Sequence, residues 1–81
     1  MKSIIWAPQA RADLRRLDRQ VAVRILRALE RYAETGHGDV TRLRGHRADF
    51  RLRVGGWRLR FQFAPPDTIR VLSVRLRDEA Y

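Results

Sequence analysis

The amino-acid sequence predicts a single α+β domain, residues 1–81, in which two helices pack on one face of an antiparallel sheet. Three observations support this class. Apolar residues recur with helical spacing in the first half of the chain. They alternate with polar residues from about residue 40 onwards. The chain has 81 residues, 44% of them hydrophobic, which corresponds to one domain with one small core.

The chain begins with one strand and one amphipathic helix. Residues 4–7 form a short apolar run, and Pro8 ends it because proline suits the first turn of a helix. Apolar side chains then recur at i, i+4 and i+7 with charged residues between them, at Ala10, Leu14 and Leu17. This spacing predicts a helix of about ten residues.

A second helix follows directly. Asp18 can cap its N-terminus, because a carboxylate there accepts a hydrogen bond from an otherwise unpaired backbone N–H. Apolar residues keep helical spacing from Val21 to about Glu34. Residues 35–39, which include two glycines, then end the helix in a loop.

Three consecutive strands are predicted in the second half. Residues 50–54 and 57–63 alternate apolar and polar side chains, and Gly55-Gly56 between them is a strong signal for a two-residue hairpin turn. Residues 64–67 form a second turn, and residues 69–74 form an almost wholly apolar third strand. The expected architecture is therefore an N-terminal strand, a two-helix hairpin and a three-stranded antiparallel meander.

The hairpin turn also predicts which residues face each other. If Gly55-Gly56 are the two turn residues, Arg53 lies opposite Arg58 and Arg51 lies opposite Arg60. Apolar side chains fill the other face, at Phe50, Leu52, Val54, Trp57, Leu59 and Phe61. Like charges directly opposite each other destabilise a sheet, so this arrangement indicates a face that a polyanion neutralises.

The third strand extends this basic face. A pairing of residue 63 with residue 68 places Arg58 beside Ser73, and Arg75 and Arg77 then continue onto the same outer face. Arginine binds phosphate through two parallel hydrogen bonds, which suits such a cluster to nucleic acid. A solvated basic face in a proteome that favours arginine codons is the alternative, because 17 of the 18 basic residues are arginine and the net charge is +9.

Other classes of site find little support. The chain has no cysteine, and its two histidines, His37 and His46, stand alone in loop-like sequence, so no metal site is expected. No apolar run is long enough to span a membrane and no signal peptide is visible, so a cytoplasmic protein is expected. Tyr81, the last residue, is either a frayed terminus or an aromatic ring that stacks on a base.

Three stretches resemble the RelE/ParE superfamily of type II toxin–antitoxin toxins, and RelE-like members in particular. They are the Arg-Leu-Arg-Gly at 42–45, the Phe-Arg-Leu-Arg-Val-Gly-Gly-Trp-Arg-Leu at 50–59, and the final Val-Leu-Ser-Val-Arg-Leu-Arg-Asp-Glu-Ala-Tyr at 71–81. The resemblance implies a microbial-ribonuclease-like α+β fold. It also implies cleavage of mRNA in the ribosomal A site, in which the RNA 2′-OH attacks the adjacent phosphate without a metal or cofactor. A cognate antitoxin with an acidic segment is the implied partner.

The resemblance also implies roles for individual residues. Arg51 and Arg53 match the basic pair that activates the 2′-OH and holds the phosphate, and Arg58 matches an arginine that stabilises the transition state. Arg77 matches the residue proposed to protonate the leaving oxygen, and Tyr81 matches a C-terminal tyrosine that orients the RNA. Further contacts to RNA are expected from Arg42, Arg44, Arg60 and Arg75.

Two departures from the family pattern keep other functions open. RelE-like enzymes often have lysine where Arg51 and Arg53 stand, and many have histidine at the position of Leu76. A guanidinium is a poor general base, so the site lacks an obvious proton acceptor. The alternatives are a ParE-like poison of DNA gyrase without nuclease activity, and an RNA-binding module without toxicity.

Overall fold

The order of the elements is one strand, two helices and four strands along the described chain. A computed structural model describes residues 2–45 and 48–77. The elements are β1 (Ser3–Trp6), α1 (Pro8–Arg15), α2 (Arg19–Thr35), β2 (Asp39–Arg42), β3 (Asp49–Val54), β4 (Trp57–Ala64) and β5 (Thr68–Leu76). The predicted α+β class and the succession of strand, helical hairpin and meander are confirmed.

The strands form one mixed sheet in the order β1-β5-β4-β3-β2. Strands β2 to β5 make an antiparallel meander, and β1 pairs in parallel with β5. The meander thus has one strand more than the sequence predicted. Strand β2 was not predicted because its four residues, Asp-Val-Thr-Arg, include a single apolar side chain and therefore show no alternation of apolar and polar residues.

Both ends of α2 follow the predicted chemistry. Its N-cap is Asp18, whose carboxylate accepts a hydrogen bond from the Gln20 N–H at 3.1 Å. Its C-cap is Gly36, which has a φ of 78°, a left-handed conformation that glycine adopts without a steric penalty. Four-residue spacing puts Ile25, Leu29 and Ala33 on the buried face of the helix.

The core lies between the helices and one face of the sheet. Leu52, Leu59 and Phe61, which the sequence placed on the apolar face of the hairpin, are all at most 1% exposed. The Phe61 ring lies 5.7 Å from the Tyr32 ring of α2, so this helix packs on β4, the central strand of the sheet. Because the apolar faces of helices and sheet meet here, the other face of the sheet, called the outer face below, carries the polar side chains.

Helix α1 covers an edge of β5 that no strand pairs. Strand β1 ends at Trp6, opposite Val71, so the later residues of β5 need another partner on that side. Asp13 of α1 supplies it: its carboxylate is 1% exposed and accepts a hydrogen bond from the Val74 N–H at 2.9 Å. A side chain thus replaces one rung of the sheet, which satisfies a buried backbone donor.

No helix in the described part of the chain is both long and apolar enough to cross a membrane.

Candidate nucleic-acid interface

The predicted register of the central hairpin is confirmed. Arg53 lies opposite Arg58, and Arg51 lies opposite Arg60. The Gly55-Gly56 turn produces this register. A two-residue hairpin turn that matches the twist of the flanking strands needs a residue with positive φ, and Gly55 has a φ of 61°. All four arginines therefore lie on the outer face.

The predicted register of β5 is wrong by two residues. Arg58 lies opposite Arg75, and Arg60, not Arg58, lies opposite Ser73. Half of the shift arises at the turn, where Ala64 pairs with Thr68. The other half arises from an irregularity between Arg60 and Phe61, where β5 contains an extra residue. A shift of two keeps Arg75 on the outer face, as expected.

The corrected register creates a row of three arginines across three adjacent strands. Arg53 of β3, Arg58 of β4 and Arg75 of β5 follow one another, and Asp39 of β2 stands at the end of the row beside Arg53. We call Arg53, Arg58 and Arg75 the three-arginine row. One carboxylate at one end offsets part of this charge, so the row keeps a net positive charge at its centre.

A second row runs beside the first and ends in hydroxyl groups. It consists of Thr41, Arg51, Arg60 and Ser73. The Nε of Arg51 is buried and has no hydrogen-bond partner among the residues that the structure describes. A buried guanidinium donor without an acceptor is costly.

Arg60 differs from Arg51 because it has a carboxylate partner. The guanidinium of Arg60 forms an ion pair with Asp49, through both Nε and Nη2 on Oδ2. Gln62 donates to the other oxygen of Asp49 at 2.6 Å. Asp49 is itself only 5% exposed. In the sequence, Asp49 is the one acid among the seven arginines of residues 42–60, and its position next to Arg60 on the outer face follows from the sheet register.

Arg75 also lies near a buried acid. Its Nε is 4.0 Å from Oδ2 of Asp13. Burial works to raise the pKa of Asp13, but the hydrogen bonds from the Val74 N–H and Gln9, with the charges of Arg75 and Arg16, outweigh it and hold the pKa below its ordinary value. Asp13 is therefore charged at neutral pH and attracts the end of the three-arginine row.

The remaining site residues expected from the sequence lie in different places. Arg42 lies on the opposite side of the sheet, with its guanidinium 5.4 Å from the Phe50 ring, so the structure does not bring it to the outer face. Arg44 is exposed in the turn after β2. The Arg77 N–H donates to the Gly56 carbonyl at 2.9 Å, which fixes the backbone of Arg77 beside the hairpin turn. Tyr81 lies outside the described residues.

The outer face offers few groups for proton transfer. Leu76, at the position where many RelE-like enzymes have histidine, lies opposite Trp57 on the apolar side. His37 is exposed in the loop before β2, and His46 lies outside the described residues. Within residues 2–45 and 48–77, no three His, Cys, Asp or Glu side chains come together as metal ligands do. What this face offers is a set of fixed positive charges and hydrogen-bond donors, suited to phosphate groups.

Comparison with known proteins identifies one family and solved structures with the same fold as this chain. The family model described as the ParE toxin of type II toxin–antitoxin systems matches residues 4–81. No curated protein sequence is significantly similar to the chain.

Solved structures of RelE toxins are similar over nearly the whole chain. The isolated RelE toxin of E. coli aligns with a TM-score of 0.79 and 19% identity, over 99% of this chain and 88% of that one. The RelE–RelB complex of Pyrococcus horikoshii gives a TM-score of 0.77 and 21% identity, over 98% of each chain. The RelB–RelE complex of Methanococcus jannaschii gives 0.75 and 22%, over 91% of each. At these identities the likeness shows the fold.

Proposed function

This chain belongs to the ParE toxin family, within the RelE/ParE superfamily, and is the toxin of a type II toxin–antitoxin system; we propose that it acts as a RelE-like, ribosome-dependent mRNA endonuclease. The observation that carries the proposal is the three-arginine row (Arg53, Arg58 and Arg75), with Arg51 beside it. Such a cluster suits a reaction in which negative charge develops on a phosphate. The place of action is then the cytoplasm, where mRNA meets the ribosome.

The proposed reaction uses the nucleophile that RNA carries. The 2′-oxygen forms a bond to the adjacent phosphorus and the bond from phosphorus to the 5′-oxygen breaks, which leaves a 2′,3′-cyclic phosphate and a 5′-hydroxyl. Arg58 has an arginine on each side in the row, and we assign it to neutralise the charge of the pentacoordinate transition state. Because arginine stays protonated, the 2′-OH proton passes to water, and water supplies the proton that makes the 5′-hydroxyl; we assign Arg77 to stabilise the negative charge on the leaving oxygen.

The proposed partner that controls this activity is an antitoxin with an acidic segment. Two of the similar toxin structures are complexes with RelB antitoxins. The net charge of +9 and the exposed arginines favour a negatively charged partner, since complementary charge speeds encounter and masks the phosphate-binding face. Purification with an antitoxin is therefore the practical route to an inactive complex.

The test is cleavage of mRNA on purified ribosomes with an occupied P site and an empty A site. Primer extension should detect a new 5′-hydroxyl end in the A-site codon with the wild-type chain. Arg58→Ala should lower the single-turnover rate by about 10²-fold, the loss typical of one transition-state donor. Arg27→Ala removes an exposed arginine from α2 and is the matched control. Unchanged cleavage by Arg58→Ala would refute the assignment.

A second candidate, a poison of DNA gyrase without nuclease activity, has one observation in its favour. The described outer face presents arginines and no histidine, the side chain whose ordinary pKa suits a general base at neutral pH, and the matching family model is that of ParE toxins. The same purified protein, incubated with gyrase and supercoiled plasmid, distinguishes the two. Stabilised double-strand breaks together with intact mRNA on the ribosome would favour the gyrase poison.

A further inference from the structure

The outer face contains a buried carboxylate that the proposed reaction does not use. We propose that Asp49 is a positioning residue: it fixes Arg60 to the sheet and so leaves Arg51 and the three-arginine row to bind phosphate. The inference rests on the proposed function for the identity of the natural ligand, RNA, but the contacts that carry it lie within this chain. It separates Arg60, whose guanidinium Asp49 binds directly, from Arg51 and the three-arginine row, in which Arg75 lies 4.0 Å from Asp13.

The geometry holds Arg60 at several points. Asp49 is the first residue of β3 and pairs with Gln62, so its side chain is a diagonal neighbour of Arg60 across the β3–β4 ladder. One carboxylate oxygen receives the guanidinium of Arg60, and the other receives the Gln62 amide. The Asp49 side chain is 7% exposed and that of Arg60 is 24% exposed. A charged pair this well buried costs much more to break than a surface ion pair.

Arg51 stands in the opposite situation. It lies directly opposite Arg60, and its Nε is buried without a partner among the described residues. If Arg60 lacked its carboxylate, two guanidinium groups would face each other on neighbouring strands and repel. Asp49 draws the charge of Arg60 towards itself, so the Nε of Arg51 remains the buried donor in this row without an acceptor among the described residues. A phosphate bound at this row would be held by the guanidinium of Arg51 rather than by that of Arg60.

This division gives Arg60 a role different from the RNA contact expected from the sequence. Arg60 becomes part of the support of the site, and Asp49, which alternation and charge counting left unassigned, becomes the residue that sets it. Removing Asp49 should therefore release a cation and add a phosphate contact. The added contact would lie outside the geometry that favours reaction, so binding and cleavage should change in opposite directions.

The salt dependence of binding measures this directly. The probe is a twelve-nucleotide single-stranded oligodeoxynucleotide, which lacks the 2′-OH and cannot be cleaved, and its affinity is measured by fluorescence anisotropy from 50 to 200 mM salt. The association constant falls with salt, so the slope of its logarithm against the logarithm of the salt concentration is negative. Each lost phosphate contact makes this slope less steep by about 0.7, equivalent to about 2.6-fold in affinity over this range. Arg51→Gln should lose this amount, and Arg60→Gln should leave the slope unchanged.

Asp49→Asn should make the slope steeper by the amount of one phosphate contact. This gain should disappear in the double variant with Arg60→Gln. Glu34→Gln, which removes an exposed acid of α2, controls for net charge and should leave the slope unchanged. Two outcomes would overturn the proposal: a loss for Arg60→Gln as large as that for Arg51→Gln, or a gain for Asp49→Asn that survives in the double variant. The ribosome assay is read separately, so an absence of mRNA cleavage would reject the nuclease function and leave these slopes interpretable.

A stability measurement covers the case in which Asp49→Asn folds poorly. In urea unfolding, the two single substitutions and the double variant form a cycle that isolates the pair. The double variant should be destabilised by less than the sum of the two single variants. Additive losses would show that Asp49 does not hold Arg60, and would overturn the proposal without any nucleic acid.

Discussion

Asp13→Ala tests how a single carboxylate closes the open edge of β5. Asp13 accepts hydrogen bonds from the Val74 N–H at 2.9 Å, from Gln9 at 2.8 Å and from Arg16 at 2.8 Å. Alanine removes all three acceptor contacts. Gln9 and Arg16 lie on the surface and can turn to water, but the Val74 N–H belongs to a residue only 3% exposed and is left without an acceptor.

The expected loss of stability follows from the difference in exposure between the buried Val74 N–H and the exposed Gln9 and Arg16 side chains. A buried backbone donor left unpaired costs about 1–3 kcal/mol. The Arg16 side chain is 70% exposed, so its ion pair adds at most about 1 kcal/mol after screening by solvent. We expect Asp13→Ala to lower the free energy of unfolding by about 2–3 kcal/mol. In a domain of this size that corresponds to a fall in Tm of about 8–24 °C.

The pH dependence gives an independent check through Asp13→Asn. The pKa of Asp13 in the folded chain lies below its ordinary value of 3.8. A group with a lowered pKa stabilises the fold above its unfolded-state pKa, and this contribution is lost as the pH falls through the folded-state pKa. The stability difference between wild type and Asp13→Asn should therefore be constant from pH 7 to pH 5 and should shrink below pH 3.8.

Urea unfolding followed by circular dichroism measures both effects. Arg16→Ala is the control, because it removes the exposed partner and leaves the carboxylate on Val74; it should cost less than about 1 kcal/mol. The reasoning is refuted if Asp13→Ala is no more destabilising than Arg16→Ala. It is equally refuted if the difference between wild type and Asp13→Asn grows as the pH falls below 3.8.

Two further predictions concern the core and the cap of α2. Leu59→Ala should lower the free energy of unfolding by about 2–5 kcal/mol in urea, because Leu59 is 0% exposed and its truncation leaves a cavity between sheet and helices; a loss under about 1 kcal/mol would contradict its place in the core. Asp18→Ala should cost about 1 kcal/mol by thermal unfolding, since it removes the acceptor of the Gln20 N–H, and Asp18→Asn, which keeps an acceptor, should retain most of that stability.

The sequence predicted the central hairpin closely because its information is local. Gly55-Gly56 allows one tight turn, and a two-residue turn fixes the partner of every residue on both strands. The alternation of apolar and basic residues then determines which face is buried, since a slip of one residue would place arginines in the core. The outward position of Arg51, Arg53 and Arg58 follows from these two facts alone.

The register of β5 could not be predicted from neighbouring residues alone. Ala64 pairs with Thr68 and an extra residue enters β5, so the partner of Arg58 moved from Ser73 to Arg75. Neither the turn at 64–67 nor the irregularity has a sequence signal as strong as a pair of glycines. The shift matters for the proposed function, because it places three arginines in one row.

The roles of the two buried acids depended wholly on tertiary structure. Asp13 looks like one polar position on an amphipathic helix, and Asp49 looks like a lone acid in a basic stretch. Asp13 acquires its role because α1 packs on an edge of β5 from which it is 61 residues distant in sequence. Asp49 acquires its role because the β3–β4 register places it beside Arg60 and Gln62.

By itself, the sequence determined the fold class, the helix caps, the hairpin register and the basic character of the outer face, all of which depend on periodicity or on neighbours a few residues apart. Only the tertiary structure decided which arginines share a row and which of them have a carboxylate partner. Pairing between distant segments depends on the summed geometry of turns, bulges and packing, and no short stretch of sequence contains that sum. The arginines themselves are visible in the sequence, but their grouping into held and available cations is a property of the folded sheet.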